Sequence, residues 1–387
     1  MKKNKNIVIG INASFIRKPN NGIGQVTANF LKTLARITNH ESRIILYLEE
    51  DLPRDFKLPK NFEKRIFLPP WKRDDLIRKI WWEKYSLPKK IKKDKCDVFL
   101  SLYQCPTILE GDTKHIMLVH DIVPKLFPEY LDNSRKKHYW QLTEYAIART
   151  DKVLTVSRHT EKDLINYLNI PAGKITPNYI DVDEIYKKSV SQKESARVLK
   201  KYKLKPGYIL AGGGMEIRKN VEGVFHAYKF MLERGLAEDL PPLVVFGKIL
   251  PNLSLAFDAE NFLKVLNMTK KVRLLDMVPQ KDMPALYKNS SFFVYPSYYE
   301  GFGMPPLEAM NQGKSVIVSK NSSLPEVGGD GVLYCQADDI YDIAMVMKNV
   351  LSNPQLREDL SRRAKLQAEK FSWERFVKKV LNIVNEI

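Results

Sequence analysis

Two glutamates eight residues apart, Glu300 and Glu308, stand in the stretch Tyr295-Pro-Ser-Tyr-Tyr-Glu300-Gly-Phe-Gly-Met-Pro-Pro-Leu-Glu308. Gly301 and Gly303 permit a tight backbone path that exposes amide N–H groups. Pro305 and Pro306 suit the first turn of a helix, where a missing N–H costs nothing. A glycine loop feeding a helix N-terminus is an anion site. Carboxylates do not bind anions; they accept hydrogen bonds from hydroxyls, such as those of a sugar or a ribose. Read alone, each glutamate would be a solvated or capping residue. The combination of anion cradle and hydroxyl acceptors points to a ligand carrying both groups.

Three further segments carry similar chemistry. Ala211-Gly-Gly-Gly-Met-Glu-Ile-Arg218-Lys219-Asn220 ends on two cations and a good helix N-cap, Asn220. Cations there can neutralise a diphosphate. The run Gly212-Gly213-Gly214 is not the G-x-G-x-x-G of a dinucleotide fold. His120 closes an apolar run. From there it can donate to a sugar hydroxyl through one ring nitrogen while the other is held locally. Asn21-Gly22-Ile23-Gly24-Gln25 places two glycines between a strand and a helix, where backbone can approach a phosphate or sugar closely. Asp181-Val-Asp183 is a D-x-D, a pattern that can hold a metal. Cys96, Cys105 and Cys335 lack metal or disulfide spacing, which fits a reducing compartment.

The elements that must position these residues are legible as alternating patterns. Residues 7–11, 43–48, 98–102, 115–119 and 152–156 read as buried strands. So do residues 208–211, 243–246, 272–275, 291–295 and 315–318. Helical patterns lie between them, for example residues 25–37 with Val26, Phe30, Leu31 and Leu34 on one face. This alternation predicts an α/β chain with two Rossmann-like, doubly wound domains. Residues 1–180 form the first and residues 206–370 the second. Residues 181–205, polar and lysine-rich, read as a connector. The helix over 371–387 is free to pack back on the first domain. Two such domains facing a central cleft would put the loops named above around it.

Composition bounds the rest. The chain has 387 residues and a formal charge of +18. No apolar run of about 20 residues is present, so no segment reads as a membrane span. The N-terminus does not read as a signal peptide, and a cytoplasmic protein is expected. Residues 1–180 hold 33 Lys and Arg against 20 Asp and Glu, and the remainder 30 against 25. The densest stretch, residues 71–95, mixes lysines with Trp71, Trp81, Trp82 and Tyr85. It reads either as a patch for an anionic membrane surface, peripheral at its inner face, or as a solvated face over core tryptophans. Nucleic acid is not expected, since no nucleic-acid motif is present.

The segment Glu300-Gly-Phe-Gly-x-Pro-x-Leu-Glu308-Ala-Met resembles the donor-site signature of retaining GT-B glycosyltransferases of the family 4 type. Leu324-Pro-Glu-Val, Tyr287, Tyr295-Pro-Ser, His120-Asp121, Thr155-Val-Ser157 and Asn21-Gly-Ile-Gly24 resemble further blocks, so the likeness covers nearly the whole chain. It implies a GT-B fold and a metal-independent, configuration-retaining transfer from a nucleotide sugar, with no cofactor. By the same resemblance Glu308 binds the donor ribose, and Glu300 lies near the transferred sugar and leaving group. Lys219 and Arg218 meet the diphosphate, and His120 acts at the sugar. Gly22, Gly24, Gly214, Val278, Gly301, Phe302, Gly303 and Met304 join the donor contacts. Relatives often carry an Arg six positions before the Lys; here that position is Gly213, so Arg218 is the substitute. They often carry Arg where Gln25 stands. The variants resemble bacterial mannosyltransferases, implying GDP-mannose and a glycan or lipid-linked saccharide acceptor. An epimerase, phosphorylase or synthase on this fold, or a basic scaffold, are the alternatives.

Overall fold

The computed structural model describes residues 7–38, 42–53, 56–68, 75–237, 239–248 and 255–386. The chain divides into two compact units: Met1–Ile180 with Ser372–Ile387, and Asp181–Phe371.

Unit 1 is built on seven parallel strands. They are β1 (Val8–Asn12), β2 (Arg43–Leu48), β3 (Phe62–Ile66), β4 (Val98–Ser101), β5 (Lys114–Val119), β6 (Lys152–Thr155) and β7 (Ile175–Pro177), in the order β3-β2-β1-β4-β5-β6-β7. Unit 2 holds six: β8 (Tyr208–Gly212), β9 (Leu243–Phe246), β10 (Val272–Leu275), β11 (Ser290–Tyr295), β12 (Val316–Ser319) and β13 (Leu333–Cys335), in the order β10-β9-β8-β11-β12-β13. Central strands are continuous apolar runs because helices cover both faces. In β2, Ile44 to Leu48 are all buried. Three strands have no counterpart in the sequence pattern: β3, β7 and β13. All three lie at sheet edges. An edge strand has one neighbour and less burial, so β3 alternates with exposed Lys64 and Ile66, and β7 and β13 are three residues each.

Residues 181–205, expected to be a connector, belong to unit 2. They include the helix Gln192–Tyr202. Arg197 is ion-paired to the buried Asp282, Lys201 reaches it at 2.5 Å and the Tyr202 hydroxyl at 2.9 Å. Charge rather than an apolar stripe fixes this helix, which is why hydrophobic periodicity missed it. After Phe371 the chain returns to unit 1, where the helix Trp373–Glu386 sets Phe376 edge-on to Phe30 at 6.0 Å. The Asn178 amide donates to the Phe376 carbonyl at 3.0 Å.

In each sheet the strand order reverses beside its first strand: between β1 and β4, and between β8 and β11. Crevices at the carboxyl ends of such strands are where doubly wound sheets bind ligands.

Candidate active site

In unit 2 the loops leaving β8 and β11 meet at that crevice. β8 runs into Gly212–Gly214 and then the short turn Ile217–Lys219. Asn220, at φ 55°, caps the helix Val221–Glu233 by accepting from Gly223 N–H at 3.1 Å. Its amide also donates to the carbonyls of Pro296 (3.1 Å) and Ala337 (2.6 Å), tying its loop to those that follow β11 and β13. Lys219 is thereby pointed inward with only 8% of its surface exposed.

β11 ends at Tyr295, and Ser297 and Glu300 turn back under Lys219. The Lys219 ammonium donates to Glu300 Oε1 at 2.7 Å and to the Tyr295 hydroxyl at 2.6 Å. Glu300 Oε1 also accepts from Tyr295 (2.6 Å) and Ser297 (2.8 Å), and Oε2 lies 3.1 Å from Arg218 Nη1. Burial alone would push the Glu300 carboxyl up. Lys219 and Arg218 outweigh it and hold it down at about 2. Burial draws the Lys219 pKa down, partly against the pull of Glu300. The sequence places Tyr295 and Ser297 beside the glycine loop without giving either a role. The signal was available in Tyr295, the last residue of a strand entering the loop.

Gly214, at φ 135°, borders this cluster. A Cβ there would meet Lys219 only at an ordinary 4.0 Å, so it is the positive φ that calls for glycine. Past Glu300, Ser323 Oγ donates to the carbonyls of Glu300 (2.9 Å) and Phe302 (2.7 Å) and fixes the loop. Gly301 is half-buried and Phe302 buried; Gly303 caps the helix Met304–Asn311. Pro305 and Pro306 lack N–H groups, so the donors of that helix start reduce to those around Met304.

Glu308 sits one turn further on, also buried. Its Oε2 accepts from the Tyr287 hydroxyl at 2.9 Å, and Tyr186 is a second hydroxyl partner. Burial pushes its carboxyl up to about 7 despite these two donors. Tyr186 lies in the stretch read as a connector, so only the fold revealed it. Val278 is half-buried in the loop after β10.

In unit 1, His120 follows β5. Its Nε2 is 2.8 Å from the Leu102 carbonyl. A carbonyl only accepts, so the proton is on Nε2. Burial lowers the ring's pKa and keeps it neutral. Nδ1 is then left with a lone pair, whereas the sequence reading expected a donor.

The glycine loop before the first helix is fixed by local contacts. Gly24 N–H is taken by the Asn21 side chain at 2.6 Å, capping the helix Gly22–Ile37. A Cβ at Gly24 would stand 1.9 Å from the Lys18 carbonyl oxygen, so close packing explains that glycine. Gly22 is the exposed first residue of the helix. Asp181 is ion-paired to Lys187, and Asp183 caps the turn Glu184–Tyr186. Among the described residues no group of three His, Cys, Asp or Glu side chains could hold a metal ion.

A paired-cation, buried-carboxylate site at the switch point of one doubly wound unit narrows the field, and comparison with known proteins decides it. Residues 192–367 match the model for glycosyl transferases group 1, and residues 20–184 that for glycosyltransferase family 4. The chain is 33% identical over 271 residues to the O-antigen chain mannosyltransferase B of Escherichia coli, covering 68% of each. The chain belongs to the GT-B glycosyltransferases of the group 1 and family 4 type. It is also 26% identical to the O-antigen chain mannosyltransferase RfbU of Salmonella typhimurium, over 89% of this chain and 91% of that one. It matches the serotype-specific mannosyltransferase WbdA of Escherichia coli at 30% identity, spanning about a third of that protein's length. Among solved structures, the sucrose-phosphate synthase of Thermosynechococcus elongatus superposes with a TM-score of 0.76 at 15% identity, over 98% of both chains. This glycosyltransferase moves a sugar from a nucleotide-sugar donor to a saccharide acceptor. Among the described residues no helix is long and apolar enough to cross a membrane.

Proposed function

We propose that this glycosyltransferase uses GDP-mannose, retains the anomeric configuration, needs no metal ion, and acts on a glycan or lipid-linked saccharide. The observation that carries the mechanism is the Lys219–Arg218–Glu300 cluster at the β8/β11 crevice. Lys219 and Arg218, with the N–H groups from Gly301 to Met304, stabilise charge developing on the leaving diphosphate. Glu308 takes the ribose hydroxyls, and Val278, Phe302 and Gly214 border the donor. Glu300 is a poor covalent nucleophile, since both its oxygens are held by cations. This favours attack on the same face as the departing phosphate. His120 Nδ1 accepts a sugar hydroxyl. Mannose as the sugar is supported by the names of the mannosyltransferases matched above.

The test is transfer by purified protein from GDP-mannose, UDP-glucose and ADP-glucose, with and without EDTA, and NMR of the product's anomeric centre. Turnover of GDP-mannose with retention, undisturbed by EDTA, is expected. Preference for another donor, inversion, or loss restored by Mg2+ or Mn2+ would each remove the corresponding part.

A peripheral association with anionic membrane is supported by one face of unit 1. Ile77, Trp81 and Tyr85 are exposed at four-residue spacing, followed by exposed Lys89, Lys90, Lys92 and Lys93. Trp82, by contrast, is core: it stacks on Phe67 at 5.2 Å and donates to that residue's carbonyl. Trp71, Lys72 and Arg73 lie outside the described residues. Sedimentation with anionic vesicles should show binding at low salt and release at high salt. Equal binding to neutral vesicles would reject it.

A further inference from the structure

Among the described residues, six that are not glycine have a positive φ. Four of them, Lys95, Asn169, Lys203 and Asn267, stand at helix C-terminal ends, where a left-handed residue is an ordinary stop. The other two stand beside the loops of the candidate site. Asn220 ties its loop to those after β11 and β13. Ser322, at φ 52°, lies in the turn between β12 and the short helix Leu324–Gly328. Serine carries a Cβ, and a left-handed backbone is unfavourable for it. Strain of this kind persists only where the surroundings impose it.

What Ser322 touches supplies the reason. Its Oγ accepts from the Glu300 N–H at 2.9 Å. The carbonyl of that same peptide unit belongs to Tyr299, and it accepts from Arg218 Nη1 at 3.0 Å. A trans peptide is planar, with its N–H and C=O on opposite edges. One rigid unit therefore carries Ser322 at one edge and the Arg218 guanidinium at the other. The next unit is held in the same way. Ser323 Oγ donates to the Glu300 carbonyl, which sets the direction of the Gly301 N–H.

The two hydroxyls serve this neighbouring loop rather than their own turn. Ser323 precedes the helix Leu324–Gly328, where a serine ordinarily accepts from the first helical N–H groups, yet its side chain makes no such bond. A glycine at position 322 would adopt the left-handed backbone without strain. It would also leave the Glu300 N–H without its acceptor. Turn preference and hydroxyl are in conflict here, and such conflicts collect at functional positions.

We propose that Ser322 is a positioning residue for the transfer reaction. Through the Tyr299–Glu300 peptide it sets Arg218 and the Glu300 carboxylate against the leaving diphosphate. The proposal rests on the reading that Arg218 meets that diphosphate, and adds what holds it there. Fixed donors act chiefly on charge that develops in the transition state, so loosening the peptide slows turnover more than it weakens donor binding.

The experiment follows GDP release from GDP-mannose by the full chain, with methyl α-mannoside as acceptor and thermal unfolding run in parallel. In Ser322→Ala and Ser322→Gly, turnover at saturating donor should fall about five- to tenfold, with the donor KM unchanged within about twofold. Ser322→Thr keeps the Oγ and should recover most of the native turnover. A β-branched residue fits the left-handed region worst, so Ser322→Thr should nevertheless unfold at a lower temperature than Ser322→Gly. Activity and stability are then ordered oppositely in these two variants, which a merely structural role does not produce. In an Arg218→Met background, adding Ser322→Gly should slow turnover little further, because both act through one peptide. A glycine variant as fast as the native chain would overturn the proposal. So would a threonine variant as slow as alanine, or the full loss repeated in the Arg218→Met background. Turnover indifferent to Arg218→Met itself rejects the diphosphate reading beneath it; turnover sensitive to Arg218 but indifferent to Ser322 rejects this inference alone.

Discussion

Glu300 and Glu308 lie at the two ends of one loop-and-helix segment and are equally buried, yet their surroundings drive them in opposite directions. Glu300 faces Lys219 and Arg218 and is held at about 2. Glu308, buried, faces the hydroxyls of Tyr287 and Tyr186 with the charge of Asp183 nearby, and is pushed up to about 7. Burial is common to both; the difference is whether a cation shares the pocket. A carboxylate locked by cations keeps its charge and orients them toward a phosphate. A carboxylate near neutrality is poised to ionise when a diol arrives, because two hydroxyl donors favour the charged form. The signs for stability are opposite as well. The contribution of Glu300 is present above its ordinary pKa and lost as pH falls toward 2. That of Glu308 is present below its ordinary pKa and lost as pH rises through about 7.

The comparison breaks most visibly at its cation. Lys219→Ala leaves Glu300 with Arg218 as its cation partner, and removing one partner of a buried pair costs up to about 3–5 kcal/mol of stability. Turnover should fall about 10²–10³-fold, more than donor affinity, if the charge acts on the leaving group. Steady-state kinetics at saturating donor and thermal unfolding measure both. Adding Glu300→Gln to Lys219→Ala should return part of the lost stability. An unaltered turnover number would make Lys219 a structural residue only.

At the other end, Glu308→Ala should weaken nucleoside diphosphate binding by about 1.5–3 kcal/mol, the value of a hydrogen bond to a charged group. The native chain should bind about tenfold more weakly at pH 6 than at pH 8, since only the ionised carboxylate accepts both hydroxyls. Glu308→Gln should flatten that profile. Calorimetry across pH decides it; a flat profile in the native chain would mean that Glu308 does not titrate on binding.

The smallest effect belongs to the tyrosines. Tyr287→Phe or Tyr186→Phe removes one donor to the ionised carboxylate. The midpoint of that binding profile should rise by roughly half to one pH unit. A fall in the midpoint would show that the hydroxyls stabilise the protonated form instead.

Much of this was legible in the chain itself. The buried runs of β1, β2, β8 and β9, the cap at Asn220, and the glycine and proline loop around Glu300 are local patterns. Each is set by side-chain period or backbone freedom within a few residues. The edge strands β3, β7 and β13 were not legible, because a strand with one neighbour need not be apolar. Nor was the helix Gln192–Tyr202, which docks through charge on Asp282. At Gly24 the close approach of the Lys18 carbonyl, which by itself requires a glycine, is invisible in the sequence. His120 could be found from its place after an apolar run, but which of its nitrogens carries the proton depends on Leu102, 18 residues away. The same holds for the two carboxylates. Their types and spacing suggested hydroxyl and diphosphate recognition. Their opposite shifts depend on Lys219, 81 residues before Glu300, and on the burial of Glu308 without a cation, which only the fold sets. Periodicity reports that a residue is buried; only the adjacency of β8 and β11 decides what it is buried against.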